Sequence, residues 1–310
     1  MANPRYGLIG VGALGQHFAS RLLEHFAPLS LYDVSPERLR IHSANGGVAK
    51  SSPAAVARCS DIVLLSVPDP QAVENVIGGA DGVLQGASPG ALVIDTSSID
   101  PATSKRMFAT CREQGVGYLE APMTSAHPGS TGVEAARLGT FTVLVGGGLE
   151  DLERAKPVLE VLGNKLIHLG PAGSASVMKL ISNQITGIAF IAIAEGLALA
   201  AAAGFSVQQT LDVLSQSCAR SYCLEENVAP RVLSRDYEPG FSTSLMGKDH
   251  QLAAELAEQL NIEMPLNRLA VETYQRLTSE GRGRRHCTDV VNWVAEAANV
   301  DLYAPGWRQQ

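Results

Sequence analysis

After a glycine-and-proline turn at Gly170 and Pro171, the chain runs through about thirty residues rich in Ala, Ile and Leu without another proline. The pattern predicts one helix of roughly 40–45 Å at 1.5 Å per residue. It is apolar on nearly every face, so burial is expected, between two domains or two subunits. Upstream the pattern changes. Short apolar runs at 5–9, 29–32, 61–67, 91–95, 117–122 and 140–145 alternate with helical stretches. Continuous apolar runs of this kind suit parallel strands covered on both faces, which makes the first half α/β with a doubly wound, mostly parallel sheet. After residues 166–169 strands stop, and helices are expected around 207–216, 244–259, 265–279 and 288–299. The expected division is therefore an α/β domain at 1–168 and an all-α domain at 169–310 that begins with the long helix.

Length and charge narrow the functional classes. A chain of 310 residues accommodates two domains, each with its own core. A formal charge of −7 argues against nucleic acid or an anionic membrane as the main partner, and the basic run Arg282, Arg284, Arg285 reads as a solvated loop. Five cysteines, odd in number and without a CxxC pair, fit reduced thiols. The N-terminus leads straight into a strand, leaving no expected signal peptide, so the localisation reads as cytoplasmic. The long helix raises the question of a membrane span, but Lys179, Asn183 and Glu195 interrupt it. The histidines show no metal-ligand spacing, and no metal is expected.

The chemistry-bearing residues fall at strand ends and on two helices. Gly10-Val11-Gly12-Ala13-Leu14-Gly15 follows the first strand and opens a helix, the required setting for a GxGxxG dinucleotide loop. The first glycine suits the tight turn, the second the approach of a pyrophosphate, the third close helix–strand packing. The second strand ends at Asp33, eighteen residues past Gly15, where an acid accepts the ribose hydroxyls of NAD and repels the 2′-phosphate of NADP. Arg38, the nearest arginine, lies in the next helix, so NAD is read first, with NADP left open. Thr96-Ser97-Ser98 ends another strand, and the 124–132 loop, TSAHPGSTG, carries His127. Loops there hold small anions through amides and hydroxyls. Lys179 and Asn183 stand four apart on the long helix and share a face. A buried ammonium costs several kcal/mol unless paired or employed, which singles out Lys179. Lys248 beside Asp249 is, on spacing alone, an ordinary exposed lysine with a neighbouring charge.

These residues together resemble the β-hydroxyacid dehydrogenases, the group of 3-hydroxyisobutyrate dehydrogenase, over roughly residues 5–300. The resemblance rests on GVGALG at 10–15, EAPM at 120–123, GPAGSASVMKLISN at 170–183 and KDHQLA at 248–253. It implies a Rossmann domain joined by a long helix to an all-helical domain, in homodimers or homotetramers sharing that helix. It implies Lys179 as the general acid/base and Asn183 as a residue that holds substrate. Thr124 and Ser125 stand where the family binds the substrate carboxylate. Gly10, Gly12, Ala13, Leu14, Gly15, Asp33, Val67, Pro68, Ser98 and Lys248 stand where it binds cofactor. The expected partner is a small hydroxy acid. A lysine of ordinary pKa, about 10.4, is a poor base at neutral pH, and burial plus the positive end of the helix are expected to lower it. Departures are Ala175 for glycine, Glu120 for aspartate, and an insertion, SAHPGS, after Thr124. They leave two alternatives: a reductase of glyoxylate or semialdehyde acids, and an NAD-binding sensor or assembly protein without turnover.

Overall fold

The computed structural model describes residues 3–125, 132–238 and 240–304. His127 lies outside them. The chain forms two compact units, Met1–Lys179 and Leu180–Gln310.

Among the described residues the first unit is built on a nine-stranded sheet: β1 (Tyr6–Ile9), β2 (Leu29–Tyr32), β3 (Gly47–Ala49), β4 (Ile62–Leu65), β5 (Leu92–Asp95), β6 (Gly117–Glu120), β7 (Met123–Thr124), β8 (Phe141–Gly147) and β9 (Gly163–Gly170). The order is β3-β2-β1-β4-β5-β6-β8-β7, with β9 also on β8. Strands β1 to β6 are parallel, while β8 runs antiparallel to β6 and β7. Successive strand residues face opposite sides. Leu8, Leu64, Ile94 and Leu119 join one core, with Phe18 and Leu22 of the helix Gly15–Phe26. Ile9, Val63, Leu65, Val93 and Tyr118 join the other, with Val73 and Ile77. Helices on both faces explain why these strands read as unbroken apolar runs. Aspartate side chains cap two of those helices: Asp69 accepts from Ala72 N–H and Asp100 from Thr103 N–H, each at 2.8 Å.

The second unit is helical in its described residues, with Val207–Leu214, Thr243–Gln259, Pro265–Leu277 and Val290–Ala297 near the expected positions. Two short turns, Cys223–Val228 and Ala229–Ser234, had no visible period in the sequence. The long helix Ser174–Ala202 begins in the first unit and continues into the second, where Phe190, Ala194 and Leu197 enter the core.

Two expectations need correction. Met178, Ile181, Ile185 and Leu199 of the long helix are exposed, so one chain does not bury it on every face. The basic run is not merely a solvated loop. Arg282 and Arg285 reach the fully buried Asp289 at 3.0 and 3.2 Å, because the short turn Cys287–Asp289 carries that carboxylate inward.

Candidate active site

The glycine loop lies between β1 and the helix Gly15–Phe26, at the carboxyl end of β1. Gly10 has φ +92°, and a Cβ there would stand 2.2 Å from the Ser66 carbonyl oxygen. A Cβ on Gly15 would meet the Gly10 carbonyl oxygen at 2.0 Å. Gly12 is different: the nearest atom to its missing Cβ is an Arg38 guanidinium nitrogen at 3.9 Å, so the loop presents bare backbone there. One glycine makes the turn, one leaves space, one permits close packing. The helix that follows has no side-chain cap and no acid in its first turn, so its positive end carries no protein anion, while the Gln16 and His17 amides are bonded to the Gly12 and Leu14 carbonyls. The arrangement fits a dinucleotide pyrophosphate.

Asp33 follows β2 and is buried. Its Oδ2 accepts from Val11 N–H at 2.7 Å, and its Oδ1 from Ser35 N–H at 2.8 Å. The carboxylate thus braces the glycine loop and the next turn together, and each oxygen retains a second lone pair for a ribose hydroxyl. Arg38 pairs with Oδ1 at 3.5 Å. Its helix, Pro36–Ser43, folds the guanidinium back over the end of β2, a proximity the linear sequence did not reveal.

At the ends of β4 and β5, Ser97 links the strands: its Oγ accepts from Val67 N–H at 3.1 Å, and its own N–H donates to Asp95 at 2.9 Å. This fixes the turns that carry Val67, Pro68 and Ser98. Asp95 is fully buried and also accepts from Tyr118 Oη at 3.2 Å. Burial raises its pKa to about 6 against these hydrogen bonds. Thr124 is not the start of a loop but the end of β7, paired with Thr142 of β8. Ala121 and Pro122 interrupt the edge, so β6 and β7 take successive stretches of β8. Thr124 and Ser125 are both partly buried.

Glu120, the last residue of β6, is 1% exposed. Its Oε1 accepts from Ala175 N–H at 2.7 Å and its Oε2 from Ser176 Oγ at 2.5 Å, in the first turn of the long helix. Lys179, one turn on, is partly buried rather than enclosed.

In the second unit Asn183 is buried and its Nδ2 donates to Asp249 Oδ2 at 2.5 Å. Lys248 reaches the other oxygen of Asp249 at 2.9 Å. Sequence reasoning set Asp249 aside as a neighbouring charge, yet it is fully buried and joins two of the residues singled out. The missed signal is its register. Met246, Asp249, Ala253 and Ala257 form the buried stripe of the helix Thr243–Gln259, and an acid on such a stripe needs partners.

Residues 5–170 match the NAD binding domain of 6-phosphogluconate dehydrogenase, and residues 173–294 match the NAD-binding region of NADP-dependent 3-hydroxyisobutyrate dehydrogenase. The chain is 30% identical over 298 residues to the 2-(hydroxymethyl)glutarate dehydrogenase of Eubacterium barkeri, covering 96% of this chain and 97% of that protein. It is 33% identical over 283 residues to the NAD-dependent L-serine dehydrogenase of Pseudomonas aeruginosa, covering 89% and 93%. The structure of the Mycobacterium tuberculosis 3-hydroxyisobutyrate dehydrogenase with L-serine is similar at a TM-score of 0.83 and 26% identity, covering 94% and 99%.

Proposed function

Because the chain belongs to the β-hydroxyacid dehydrogenases, the 3-hydroxyisobutyrate dehydrogenase-like family, we propose that it oxidises a small 3-hydroxy acid, with Lys179 as general base. The reaction class stands on the relatives: the chain is an NAD(P)-dependent oxidoreductase of a small hydroxy acid, and the nicotinamide supplies the hydride acceptor when bound. The glycine loop carries the cofactor assignment, through the open face at Gly12 and the Asp33 carboxylate braced against Val11.

Lys179 Nζ takes the hydroxyl proton as the carbon gives up its hydride, and returns a proton in the reverse direction. Thr124 and Ser125 hold the substrate carboxylate. Asn183 is a further substrate ligand whose amide is oriented by its bond to Asp249. Gly10, Gly12, Ala13, Leu14 and Gly15 hold the pyrophosphate, Asp33 the ribose hydroxyls, and Val67, Pro68, Ser98 and Lys248 the remainder of the cofactor. Asp33 favours NAD. The division of labour follows residues 1–168 for nucleotide binding and 169–310 for the helical domain. The apolar stripe of Met178, Ile181 and Ile185 supports a homo-oligomer in which a second copy covers the long helix, and five scattered cysteines without a CxxC pair suit a cytoplasmic protein.

L-Serine and 3-hydroxyisobutyrate head the substrate panel, because both recur among the relatives. Glycerate, threonine, tartrate, threonate and 4-hydroxybutyrate complete it. Nucleotide absorbance is followed with NAD and with NADP. Turnover of one acid supports the reading; no turnover of any acid, nor of the aldehydes in reverse, with NAD binding measurable by calorimetry, overturns it in favour of a sensor.

A further inference from the structure

The long helix lacks a side-chain cap of its own. The residue before it is Gly173, at φ +95°, which has no side chain to accept from the first amides. Those amides need partners. The partner of one is Glu120, which comes from β6, fifty-five residues earlier in the chain. Its second oxygen holds the hydroxyl of the next residue, Ser176.

Several features show that this carboxylate has been accommodated deliberately. Glu120 is paired in register with Gly146 of β8. A Cβ on Gly146 would stand 2.1 Å from Glu120 Oε1, and its three nearest atoms would all belong to Glu120. Glycine at 146 therefore makes the space that the carboxylate fills, in a backbone conformation open to any residue. Among the described residues Glu120 appears in no ion pair within 4 Å. Burying a carboxyl group away from water and without a cation is costly, and here a helix N-terminus and a hydroxyl supply its hydrogen bonds.

The geometry has a consequence for the lysine. Ala175 and Ser176 precede Lys179 by four and three residues, so all three lie on one face of the helix. Two bonds to two successive residues fix both the height of the first turn and its rotation about the helix axis, and Lys179 is carried on the next turn, about 6 Å further along. Resting on the assignment of Lys179 as general base, we propose that Glu120 is a positioning residue: by clamping Ala175 and Ser176 it sets where the Lys179 ammonium is presented at the carboxyl edge of the sheet. Glutamate, one methylene longer than aspartate, meets Ala175 N–H with one oxygen and Ser176 Oγ with the other.

The test compares Lys179→Ala, Glu120→Ala, Glu120→Gln, Glu120→Asp and Ser176→Ala in the full chain. Rates are measured with L-serine or 3-hydroxyisobutyrate, protonated and deuterated at the oxidised carbon, and NAD affinity by calorimetry. Misplacing a reacting group by about 1 Å costs ~10²-fold, so Glu120→Ala is expected to lose ~10²-fold in kcat with NAD affinity unchanged. Glu120→Gln keeps the length and an accepting oxygen and is expected to retain most activity, whereas Glu120→Asp is expected to resemble alanine. Ser176→Ala, a benign exchange within a helix, is expected to lose about three- to tenfold. The deuterium isotope effect on kcat should rise in the impaired variants, because a misplaced base slows the chemical step. If Glu120→Ala unfolds, Ser176→Ala and the glutamine–aspartate contrast decide. A lower Tm with unchanged kcat and isotope effect in Ser176→Ala and Glu120→Asp makes Glu120 a structural cap only, and overturns the proposal. An active Lys179→Ala overturns the assignment of the base itself, a distinct outcome.

Discussion

Asp33 braces the glycine loop through Val11, with Arg38 at its flank, and in the proposed reading the same carboxylate receives the ribose of the cofactor. Replacing it by alanine removes the negative charge that repels a 2′-phosphate and leaves Arg38 without its partner, turned toward the same space. Asp33→Ala is expected to shift the ratio of kcat/KM for NAD over NADP toward NADP by at least about tenfold, the equivalent of a single charged contact. An unchanged ratio would assign Asp33 to loop bracing alone. The sequence made Asp33 visible because it ends a strand at a fixed distance from a glycine motif. It did not make Asp249 visible, because a buried acid on a helix looks like a surface acid until the buried stripe through Met246 and Ala253 is drawn. Nor did it reveal Glu120 as a cap, since its partners lie fifty-five and fifty-six residues away.

Among the elements, the long helix was legible through its unbroken apolar run, and the strands through theirs. β3 and β7 were not: three and two residues are too short to show a period, and β7 exists only because Ala121 and Pro122 interrupt the edge. Gly187, in the middle of the long helix, has a packing reason. A Cβ there would stand 2.0 Å from His250 Nε2, while Tyr274 Oη donates to the Gly187 carbonyl at 3.0 Å. His250 is itself held through Nδ1 by Asn267 at 2.6 Å and cannot withdraw easily. Gly187→Ala, favourable by helix propensity, is expected instead to destabilise by about 1–3 kcal/mol through overpacking, read as a lower urea midpoint. A gain in stability would show that His250 has room to move. At the end of β5, Asp95 rises from 3.8 to about 6. Between those values the folded protein binds more protons than the unfolded chain. The Asp95 contribution is therefore most favourable below about pH 4 and is lost as pH climbs to about 6, on the order of 3 kcal/mol in total. Asp95→Asn should remove that part of the slope, so the wild-type minus variant stability should fall between pH 4 and 6.5. A difference constant with pH would mean that water or a cation reaches the carboxylate.

At the scale of the whole molecule, the α/β-then-α order was written in the change of period along the chain, from short apolar runs to long helices. What the sequence could not display was which faces a single chain leaves open. The long helix keeps Met178, Ile181 and Ile185 exposed at spacings of three and four, a stripe on one face. Light scattering is expected to give a dimer or tetramer, and Ile185→Asp to shift it toward monomer; a monomeric wild type would require another occupant for that stripe. The proposed chemistry turns on the lysine at the start of that helix. Wild type and Lys179→Ala should be compared in hydride transfer from the acid that turns over best, with NAD affinity measured on both. The predicted result is a loss of ~10²–10⁴-fold or more in kcat, the scale of general acid–base catalysis, at unchanged NAD affinity. Turnover within a fewfold of wild type would contradict it and remove Lys179 from the chemistry.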